Sequence, residues 1–404
     1  MRPLRICLIT PYASQPDGGG ISTHVGHVCR ALSSNGHDVT LITGIKNAGS
    51  RNPDLPGRIH AVTSAPGDTF SPLFWKQSVG IFETLHSEKP FDAVLSEGSS
   101  AQGLLLFKQR PPLAALVHQF KPLHLFNNAL EIDGLRPLAS FLLRTAPRIL
   151  RDGLVHERPF FRQSDMILCG AEHIRRRLTS LYGLDGDRLR VIPNAVDTDL
   201  FRPDVALRKR GRDSLNIPDG SFVALSLGRF QKTKGMDIAV SSFASAFKGR
   251  RDVFLVLAGG GDEGVKEYCR RRAQELGVTD RTLFPGTISP EGLPSLYNAA
   301  DVFLMPSVLI EVLSYSVLEA MSCGVPVIAT DREGNREAVG DAGALFRPWD
   351  VDGGAKALSL YEQDAELRRK HGDHARRRIL DRFDARRFGR SYDEAVRSLA
   401  DGNR

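Results

Sequence analysis

The chain has 404 residues, enough for two or three domains, and its 41% hydrophobic and 25% charged residues are typical of a globular protein. Its five cysteines are scattered, which argues against a disulfide framework and a zinc site, and no apolar run approaches the ~20 residues of a membrane span. Despite a net charge of +7, no basic run is interleaved with aromatic residues, so we expect no nucleic-acid partner. The apolar run behind the basic N-terminus is too short for a signal peptide, which predicts a cytoplasmic protein.

Short apolar segments alternate with helical periodicity along the whole chain, a pattern typical of α/β proteins. A strand over 5–10, a loop ending in three glycines, a helix over 22–35 and a strand over 38–43 form a βαβ beginning. Further strands are predicted over 93–96, 114–117, 166–169 and 190–192, and then in a second series over 222–227, 253–258, 282–284, 302–305 and 325–329. A basic helix is predicted over the tail, 365–397.

The two series of strands meet near 193–203, a stretch bounded by prolines and without regular periodicity. We therefore predict two doubly wound, parallel-sheet α/β domains, over 1–195 and 196–382, with a cleft between them. Because ligands bind outside the carboxyl ends of the strands in such sheets, the loops that follow strands should carry the functional residues.

Two glutamates, Glu311 and Glu319, follow the strand over 302–305. The sequence predicts a helix from about Val312 to Cys323, with Glu311 at its N-terminal end and Glu319 about two turns inside. At 1.5 Å per residue the pair would span ~12 Å, of the order of the distance from sugar to ribose in a nucleotide sugar. A helix N-terminus is also a favourable binding site for pyrophosphate. A solvent-exposed pair of glutamates is the alternative.

Two cations, Arg229 and Lys234, lie in the loop after the first strand of the second series. If a pyrophosphate leaves without a metal ion, its charge must be met by guanidinium, ammonium and a helix dipole, and these residues are our candidates. Ordinary surface solvation is the alternative.

Candidates in the first half are the glycines that open the first helix and His118, which follows the strand over 114–117. Glycines such as Gly19 and Gly20 allow the backbone to approach a phosphate or sugar closely. They fail as a dinucleotide-binding fingerprint, because the third glycine and the acidic residue after the second strand are missing. His118 could hydrogen-bond a sugar hydroxyl; a flexible turn and a structural histidine are the respective alternatives.

These residues belong to a series of short motifs that resembles the retaining glycosyltransferases of family 4, which have the GT-B fold. The motifs run nearly end to end: Gly19-Gly20-Ile21-Ser22, Gly36-His37-x-Val39, Ile192-Pro193-Asn194-Ala195-Val196-Asp197, Gly228-Arg229 with Lys234-Gly235, Phe284-Pro285-Gly286, Tyr297-x-x-Ala300-Asp301, Glu311 with Leu318-Glu319-Ala320-Met321, Gly324-x-Pro326-Val327 and Gly334-Asn335-x-Glu337.

The resemblance implies transfer of a sugar from a UDP- or GDP-sugar to a glycan, lipid-linked or small-molecule acceptor, with an α-linkage as product and no cofactor. Arg229 and Lys234 would bind the donor phosphates and Glu319 the ribose. Glu311 would face the donor sugar, and His118 would lie beside the transferred sugar. Gly19 and Gly20 would lie by the pyrophosphate and Ile288 by the base, and a last helix, 383–404, would cross back to the first domain.

The chain departs from the family's common pattern at three places. Val312-Leu313-Ser314 stands where Gly-Phe-Gly is frequent, Asn194-Ala195 replaces Asn-Gly, and Arg332-Glu333 replaces small residues. The first departure leaves the identity of the sugar open.

We expect no metal ion, because the Asp-x-Asp pairs at 185–187, 197–199 and 350–352 do not directly end a core strand. A nucleotide-sugar epimerase and a non-catalytic nucleotide-sugar-binding protein are the competing interpretations. The segment 136–162 holds six arginines against two acidic residues, interleaved with leucines. It could contact the inner face of a membrane to reach a lipid-linked acceptor, or simply cover the first sheet.

Overall fold

The computed structural model describes residues 2–12, 19–44, 56–62, 71–107, 109–132 and 134–402. It divides into two compact units, one formed by Met1–Asn194 with Ala385–Arg404 and the other by Ala195–Asp384. The last helix therefore belongs to the first unit. None of the helices in the described ranges is long and apolar enough to cross a membrane.

The first unit is built on a parallel sheet, whose described strands are β1 (Arg5–Thr10), β2 (Asp38–Gly44), β3 (Arg58–Val62), β4 (Ala93–Glu97), β5 (Leu113–Val117), β6 (Met166–Cys169) and β7 (Leu189–Val191). Their order is β3-β2-β1-β4-β5-β6-β7. The central strands are buried along their whole length, which is why they appear in the sequence as near-continuous apolar runs. The helices are α1 (Gly19–Ser34), α2 (Pro72–Glu88), α3 (Lys121–Ala129), α4 (Leu135–Ser140), α5 (Ala146–Asp152), α6 (Arg158–Gln163) and α7 (Glu172–Tyr182).

Helices α4, α5 and α6 form one continuous helical segment. The stretches that join them, Phe141–Thr145 and Gly153–Glu157, are π-helical, and the residues at each junction keep right-handed helical backbone angles. This segment contains the arginine- and leucine-rich stretch singled out in the sequence.

The second unit repeats the architecture with the strands β8 (Phe222–Leu227), β9 (Val253–Ala258), β10 (Thr282–Gly286), β11 (Val302–Met305), β12 (Val327–Thr330) and β13 (Gly343–Phe346). These pair in parallel in the order β10-β9-β8-β11-β12-β13. Its helices are α8 (Val205–Ser214), α9 (Met236–Ala246), α10 (Glu263–Glu275), α11 (Leu293–Ala299), α12 (Tyr315–Ser322), α13 (Glu333–Val339), α14 (Val351–Gln363) and α15 (Ala365–Arg382). The prediction of two parallel-sheet α/β domains is confirmed.

Each sheet has one point at which the strand order reverses, between β1 and β4 in the first unit and between β8 and β11 in the second. Ligands of doubly wound sheets bind at such switch points, outside the carboxyl ends of the strands. We therefore expect ligand-binding residues on the loops that follow these four strands.

The structure departs from the predicted elements at three places. The helix predicted from Val312 begins at Tyr315, so Glu311 lies in an irregular loop and Glu319 is only about one turn inside the helix. The tail is two helices, α15 and α16 (Ala385–Ala400), because the chain between them leaves the helix to pair with the segment after Ala195: the Val196 N–H donates to the Phe383 carbonyl at 2.9 Å. Strands β3 and β13 were not predicted, since these edge strands are half-exposed and lack a continuous apolar run.

Helix α16 is attached to the first unit by its apolar face and by a polar cluster. Phe388, Tyr392, Val396 and Leu399 are buried, and α16 packs against α1. His37 Nδ1 accepts a hydrogen bond from the Leu4 N–H at 3.0 Å, so its Nε2 carries the proton and donates to Asp393 Oδ1 at 2.7 Å. Arg397 donates to the same oxygen at 2.9 Å.

Candidate active site

The loops after β8 and β11, at the switch point of the second unit, are locked together by a glycine. Gly235 has φ +69°, and a Cβ at this position would lie 2.3 Å from the Pro306 carbonyl oxygen, so only glycine fits without a shift. The Val308 N–H donates to the Thr233 carbonyl at 2.9 Å. This contact brings Lys234, on the first loop, against Glu311, on the second.

Glu311 lies at the centre of a charged and hydrogen-bonded cluster. Lys234 Nζ and Ser307 Oγ both donate to its Oε1 at 2.7 Å. Burial alone would raise the pKa of Glu311, but the charges of Lys234 and Arg229 and these two hydrogen bonds outweigh it and hold the pKa below its usual range. The carboxylate is therefore ionised at neutral pH.

The backbone around Glu311 is held in place by the start of α13. A Cβ at Gly334 would lie 2.1 Å from the Val312 carbonyl oxygen and 2.4 Å from that of Glu311. This close approach fixes the Glu311 carbonyl in a loop, and it explains why the helix predicted from Val312 begins three residues later.

Glu319, on α12, is half-buried and accepts a hydrogen bond from the Tyr297 hydroxyl at 2.6 Å. Burial raises the pKa of Glu319 to about 7, although the Tyr297 hydrogen bond opposes the shift. Unlike Glu311, this carboxyl therefore changes its charge near neutral pH.

Arg229 is exposed on the loop after β8 and forms no hydrogen bond or ion pair with the described part of the chain. The backbone beside it is fixed by the loop after β9: the Phe230 N–H donates to the Gly260 carbonyl at 2.7 Å, and a Cβ at Gly259 would lie 2.0 Å from the Gly228 carbonyl oxygen. Its charge contributes to the depressed pKa of Glu311, so the two groups lie within electrostatic range. The guanidinium of Arg229 is therefore open to solvent, on a loop whose backbone is held by a hydrogen bond and a close glycine contact.

The structure thus brings together Lys234, Glu311 and Arg229 among the predicted residues. Ile288 lies in the loop after β10, on the other side of β9, and is half-buried. Sequence reasoning missed Ser307, which accompanies Glu311, and Tyr297, which accompanies Glu319. The glycine run 259–261 was also missed. Like Gly19 and Gly20, these glycines follow a strand and mark a turn, so the same signal could have identified them.

In the first unit, His118 follows β5 and is buried against two groups. Its ring lies 4.1 Å from that of His24 between centroids, in an edge-to-face arrangement, and its Nε2 lies 3.4 Å from Glu97 Oε2. His24 shares a hydrogen bond of 3.0 Å with the Tyr392 hydroxyl of α16. Burial, together with His118 and His27, lowers the pKa of His24 well below its usual value, so this ring is neutral.

The glycines at the start of α1 lie at the other side of the switch point of the first sheet. Gly19 has φ +62° and begins the helix, and both Gly19 and Gly20 are exposed. Gly18, the first glycine of the run, lies outside the described residues.

The Asp-x-Asp pairs have structural roles at two of the three positions. Asp197 Oδ1 accepts hydrogen bonds from the N–H groups of Asp199 and Leu200, and Asp350 caps α14 by accepting from the Gly353 N–H. Across the described ranges, no group of three or more His, Cys, Asp or Glu side chains is arranged to hold a metal ion.

Both halves of the chain match models of known protein families. Residues 18–200 match the model of "Glycosyltransferase Family 4" and residues 208–378 that of "Glycosyl transferases group 1". A D-inositol 3-phosphate glycosyltransferase of Acidothermus cellulolyticus is 28% identical over 85% of this chain and 79% of its own. A GDP-mannose-dependent alpha-(1-6)-phosphatidylinositol monomannoside mannosyltransferase of Mycolicibacterium smegmatis is 31% identical over 58% of this chain and 62% of its own.

Two solved structures have the same fold. The sucrose-phosphate synthase of Thermosynechococcus elongatus superposes with a TM-score of 0.80 at 22% identity over 98% of this chain and 99% of its own. Anabaena HepE, solved with UDP and glucose, gives 0.75 at 18% identity over 98% and 100%. The two parallel-sheet units and the matched families define a glycosyltransferase with the GT-B fold. The chain belongs to glycosyltransferase family 4.

Proposed function

We propose that the chain transfers a sugar from a UDP- or GDP-sugar to a hydroxyl acceptor, with retention of the anomeric configuration and without a metal ion. One observation carries the proposal: two cations, Arg229 and Lys234, lie with the ionised Glu311 at the switch point of the second sheet. The Acidothermus, Mycolicibacterium and Anabaena proteins, whose names or bound ligands include a glycosyltransferase activity, GDP-mannose and UDP, support a nucleotide sugar as the donor.

The cations and the carboxylates of the site bind different parts of the donor. Arg229 and Lys234 bind the diphosphate and stabilise its developing charge as it leaves, which is the step in which fixed cations contribute most. Lys234 is paired with Glu311, so the carboxylate keeps the ammonium in position until the donor arrives. Glu319 binds the ribose hydroxyls, for which its carboxylate is an acceptor, and Gly19, Gly20 and Ile288 provide close backbone approach to pyrophosphate and base.

The sugar end of the site follows from the same arrangement. Glu311 supports the positive charge that develops on the sugar ring and does not act as an inverting base, because its Oε1 already accepts from both Lys234 and Ser307. His118 binds a hydroxyl of the transferred sugar. The acceptor oxygen then bonds to the anomeric carbon on the face from which the diphosphate departs, as the bond from that carbon to the diphosphate breaks. The hydroxyl proton passes to the departing diphosphate oxygen, and the product is α-linked.

A panel of nucleotides and nucleotide sugars tests the donor. UDP, GDP, UDP-glucose and GDP-mannose are added in excess to the protein in the presence of EDTA, and the shift in melting temperature is read, since a ligand stabilises the fold by mass action. We expect a shift with one base and its sugar, and release of free sugar from that donor on incubation. Stabilisation that requires manganese would contradict the metal-free proposal, and the absence of any shift would contradict the donor class.

We further propose that the helical segment from Leu135 to Gln163 contacts an anionic membrane at which the acceptor is presented. Its outward side chains include Leu135 and Leu143, which are 85% and 78% exposed, together with exposed arginines at 136, 144, 148 and 151. Exposed leucines flanked by arginines suit the boundary between acyl chains and anionic headgroups.

Flotation with vesicles containing phosphatidylglycerol tests this contact. We expect the chain to float with them and Leu143→Ser to reduce the bound fraction, while Leu181→Ser, an exposed leucine on α7, leaves it unchanged. A chain that stays in the soluble fraction contradicts the contact.

A further inference from the structure

The second unit carries a tryptophan in a turn that suits a different residue. Strand β13 is followed by Arg347-Pro348-Trp349-Asp350, in which the Asp350 N–H donates to the Arg347 carbonyl at 3.1 Å. Trp349, the third residue of this turn, has φ +64°. A proline in the second position and a positive φ in the third are typical of a type II turn, whose third residue is usually glycine or asparagine. A bulky side chain is unfavourable there, so the backbone of the turn does not explain the tryptophan.

Burial does not explain it either. In the rest of the described chain, positive φ is found only at glycines and at Asn216, and asparagine is a residue type that tolerates this conformation. Trp349 is 55% exposed, so its ring gains only part of the stabilisation that burial supplies. A strained backbone that holds an exposed aromatic ring therefore indicates a role in binding.

The ring of Trp349 is held by an arginine from the neighbouring loop. Arg332 Cζ lies 5.5 Å from the centroid of the Trp349 ring, within the range of a cation–π contact. Arg332 follows β12, and the Asp331 N–H donates to the Phe346 carbonyl at 2.6 Å, which ties the loops after β12 and β13 together. The guanidinium and the indole form one surface at the carboxyl ends of these strands, here called the Arg332–Trp349 platform.

Short contacts connect the platform to the loop of Glu311. Thr330, the last residue of β12, donates its hydroxyl to the Ser307 carbonyl, and Ser307 Oγ donates to Glu311 Oε1 at 2.7 Å. Gly334 is the glycine whose Cβ would lie 2.4 Å from the Glu311 carbonyl oxygen. Arg332 precedes it by two residues, and two residues of chain span at most about 7 Å, so the platform begins close to this contact.

The order of the strands places the platform beyond the sugar end of the proposed donor. The sheet runs β10-β9-β8-β11-β12-β13. Ile288, proposed at the base, follows β10; Arg229 and Lys234, proposed at the diphosphate, follow β8; and Glu311, proposed at the sugar, follows β11. Neighbouring strands are ~4.8 Å apart, so the loop after β13 lies about 10 Å beyond the loop after β11. This distance accommodates one further six-membered ring beside the donor sugar.

We propose that the Arg332–Trp349 platform binds a polyhydroxylated six-membered ring of the acceptor, a pyranose or a cyclitol, and so helps to select the acceptor. This inference rests on the proposed function, because it names the class of acceptor used at that site. The indole presents a flat apolar face, against which the C–H groups on one face of such a ring pack while its hydroxyls stay solvated at the rim. Arg332 fixes the orientation of the indole and is a positioning residue.

Thermal melting of Trp349→Asn separates a ligand-binding residue from a structural one. Asparagine tolerates positive φ, so relief of the turn offsets the lost contact with Arg332, and the variant should melt within about 2 °C of the wild type or above it. Asn216 is exposed at φ +53°, and the matched change Asn216→Trp should melt about 2–4 °C lower. A fall for Trp349→Asn as large as that for Asn216→Trp would show that the indole stabilises the turn, and would overturn the proposal.

Tryptophan fluorescence tests the platform itself. The chain has two tryptophans, so Trp75→Phe leaves Trp349 as the sole source of tryptophan emission. Methyl α-D-glucopyranoside, methyl α-D-mannopyranoside and myo-inositol are titrated into this protein with and without UDP or GDP. We expect at least one ring to change the emission saturably, with a dissociation constant of about 1–10 mM for a ligand of this size.

Two arginine variants in the same background provide the comparison. Arg332→Ala should weaken ring binding about two- to fivefold, whereas Arg347→Ala, at an exposed position of the same turn, should leave it unchanged. The absence of a saturable change with all three rings, or an equal loss in the two variants, would overturn the platform.

Nucleotide sugars distinguish the acceptor from the donor. UDP-glucose and GDP-mannose should raise the melting temperature of the wild type and of Trp349→Asn equally, because their proposed contacts follow other strands. If the nucleotide sugar loses its advantage over the free nucleotide in Trp349→Asn, the ring on the platform belongs to the donor and the proposal is wrong. If no nucleotide or nucleotide sugar stabilises the wild type, the proposed donor is contradicted, whereas the titrations without nucleotide still decide whether the platform binds a ring.

Discussion

Replacing Lys234 with alanine removes the cation that holds Glu311. Its Nζ donates to Glu311 Oε1 at 2.7 Å, and the two side chains are 16% and 20% exposed. A hydrogen bond to a charged group contributes ~1.5–3 kcal/mol, and after a discount for the remaining solvent access we expect the free energy of unfolding to fall by about 1–2 kcal/mol. The rate of sugar transfer should fall by about 10²–10³, the usual effect of losing one group that stabilises developing charge.

Two variants of the same loop serve as comparisons. Arg229 is exposed and forms no ion pair with the rest of the described chain, so Arg229→Ala should leave the free energy of unfolding within about 0.5 kcal/mol of the wild type while lowering the rate as strongly as Lys234→Ala. Lys232 is an exposed lysine two residues from Lys234, and Lys232→Ala should change neither quantity.

The assays are initial rates of sugar transfer or donor hydrolysis, urea unfolding, and a titration of Glu311 by carbon NMR. Without Lys234 the effect of burial on Glu311 is no longer outweighed, so its pKa should rise. Wild-type rates in both Lys234→Ala and Arg229→Ala would refute the reasoning, as would an equal loss in Lys232→Ala, since that would mean any positive charge near the loop suffices.

Three further predictions concern stability. Because burial raises the pKa of Glu319 to about 7, the folded chain binds this proton more tightly than the unfolded chain, and the resulting stabilisation is lost as the pH rises from about 5 to 8. Between these pH values, the free energy of unfolding of Glu319→Gln, measured in urea, should rise by about 1–3 kcal/mol relative to that of the wild type. The same pH dependence in both proteins would contradict this prediction. Asp393→Ala should destabilise the docking of α16 by about 1–3 kcal/mol, because His37 and Arg397 lose their acceptor. Glu394→Ala, at an exposed position of the same helix, should stay within about 0.5 kcal/mol of the wild type, and equal effects of the two variants would show that the polar cluster contributes nothing. Gly235→Ala should reduce both thermal stability and transfer, since its Cβ meets the Pro306 carbonyl, while Gly249→Ala, at φ +78° with open space, should cost only about 1 kcal/mol and leave transfer unchanged.

The fold was largely predictable because a buried parallel sheet is visible in sequence. The strands at 5–10, 166–169, 222–227, 253–258 and 302–305 have the predicted bounds, since both of their faces are covered and the apolar run is continuous. Edge strands β3 and β13 are half-exposed and could not be found in this way.

The local geometry of the candidate site could not be predicted from periodicity. The segment after Glu311 has helical spacing, but a tertiary contact decides its conformation: the close approach of Gly334 to the Glu311 and Val312 carbonyls keeps it irregular. The break between α15 and α16 has the same kind of cause, the pairing of Phe383 with Val196.

The environment of Glu97 was equally inaccessible from sequence. It follows the strand predicted over 93–96, and only the fold shows that its Oε2 is buried without a hydrogen bond, 3.4 Å from His118 Nε2. A pattern can place a residue at the carboxyl end of a strand, but burial and pairing depend on the neighbours that the fold supplies.

The central claim is that Arg229 and Lys234 bind the donor diphosphate without a divalent ion, and calorimetry tests it most directly. UDP and GDP are titrated into the wild type, Arg229→Ala and Lys234→Ala in EDTA and again in manganese. The account predicts that one nucleotide binds the wild type with the same dissociation constant in both buffers and that each variant loses about 10- to 100-fold, as expected for a charge-assisted hydrogen bond of ~1.5–3 kcal/mol. Binding that appears only with manganese, or that both variants retain in full, would contradict it.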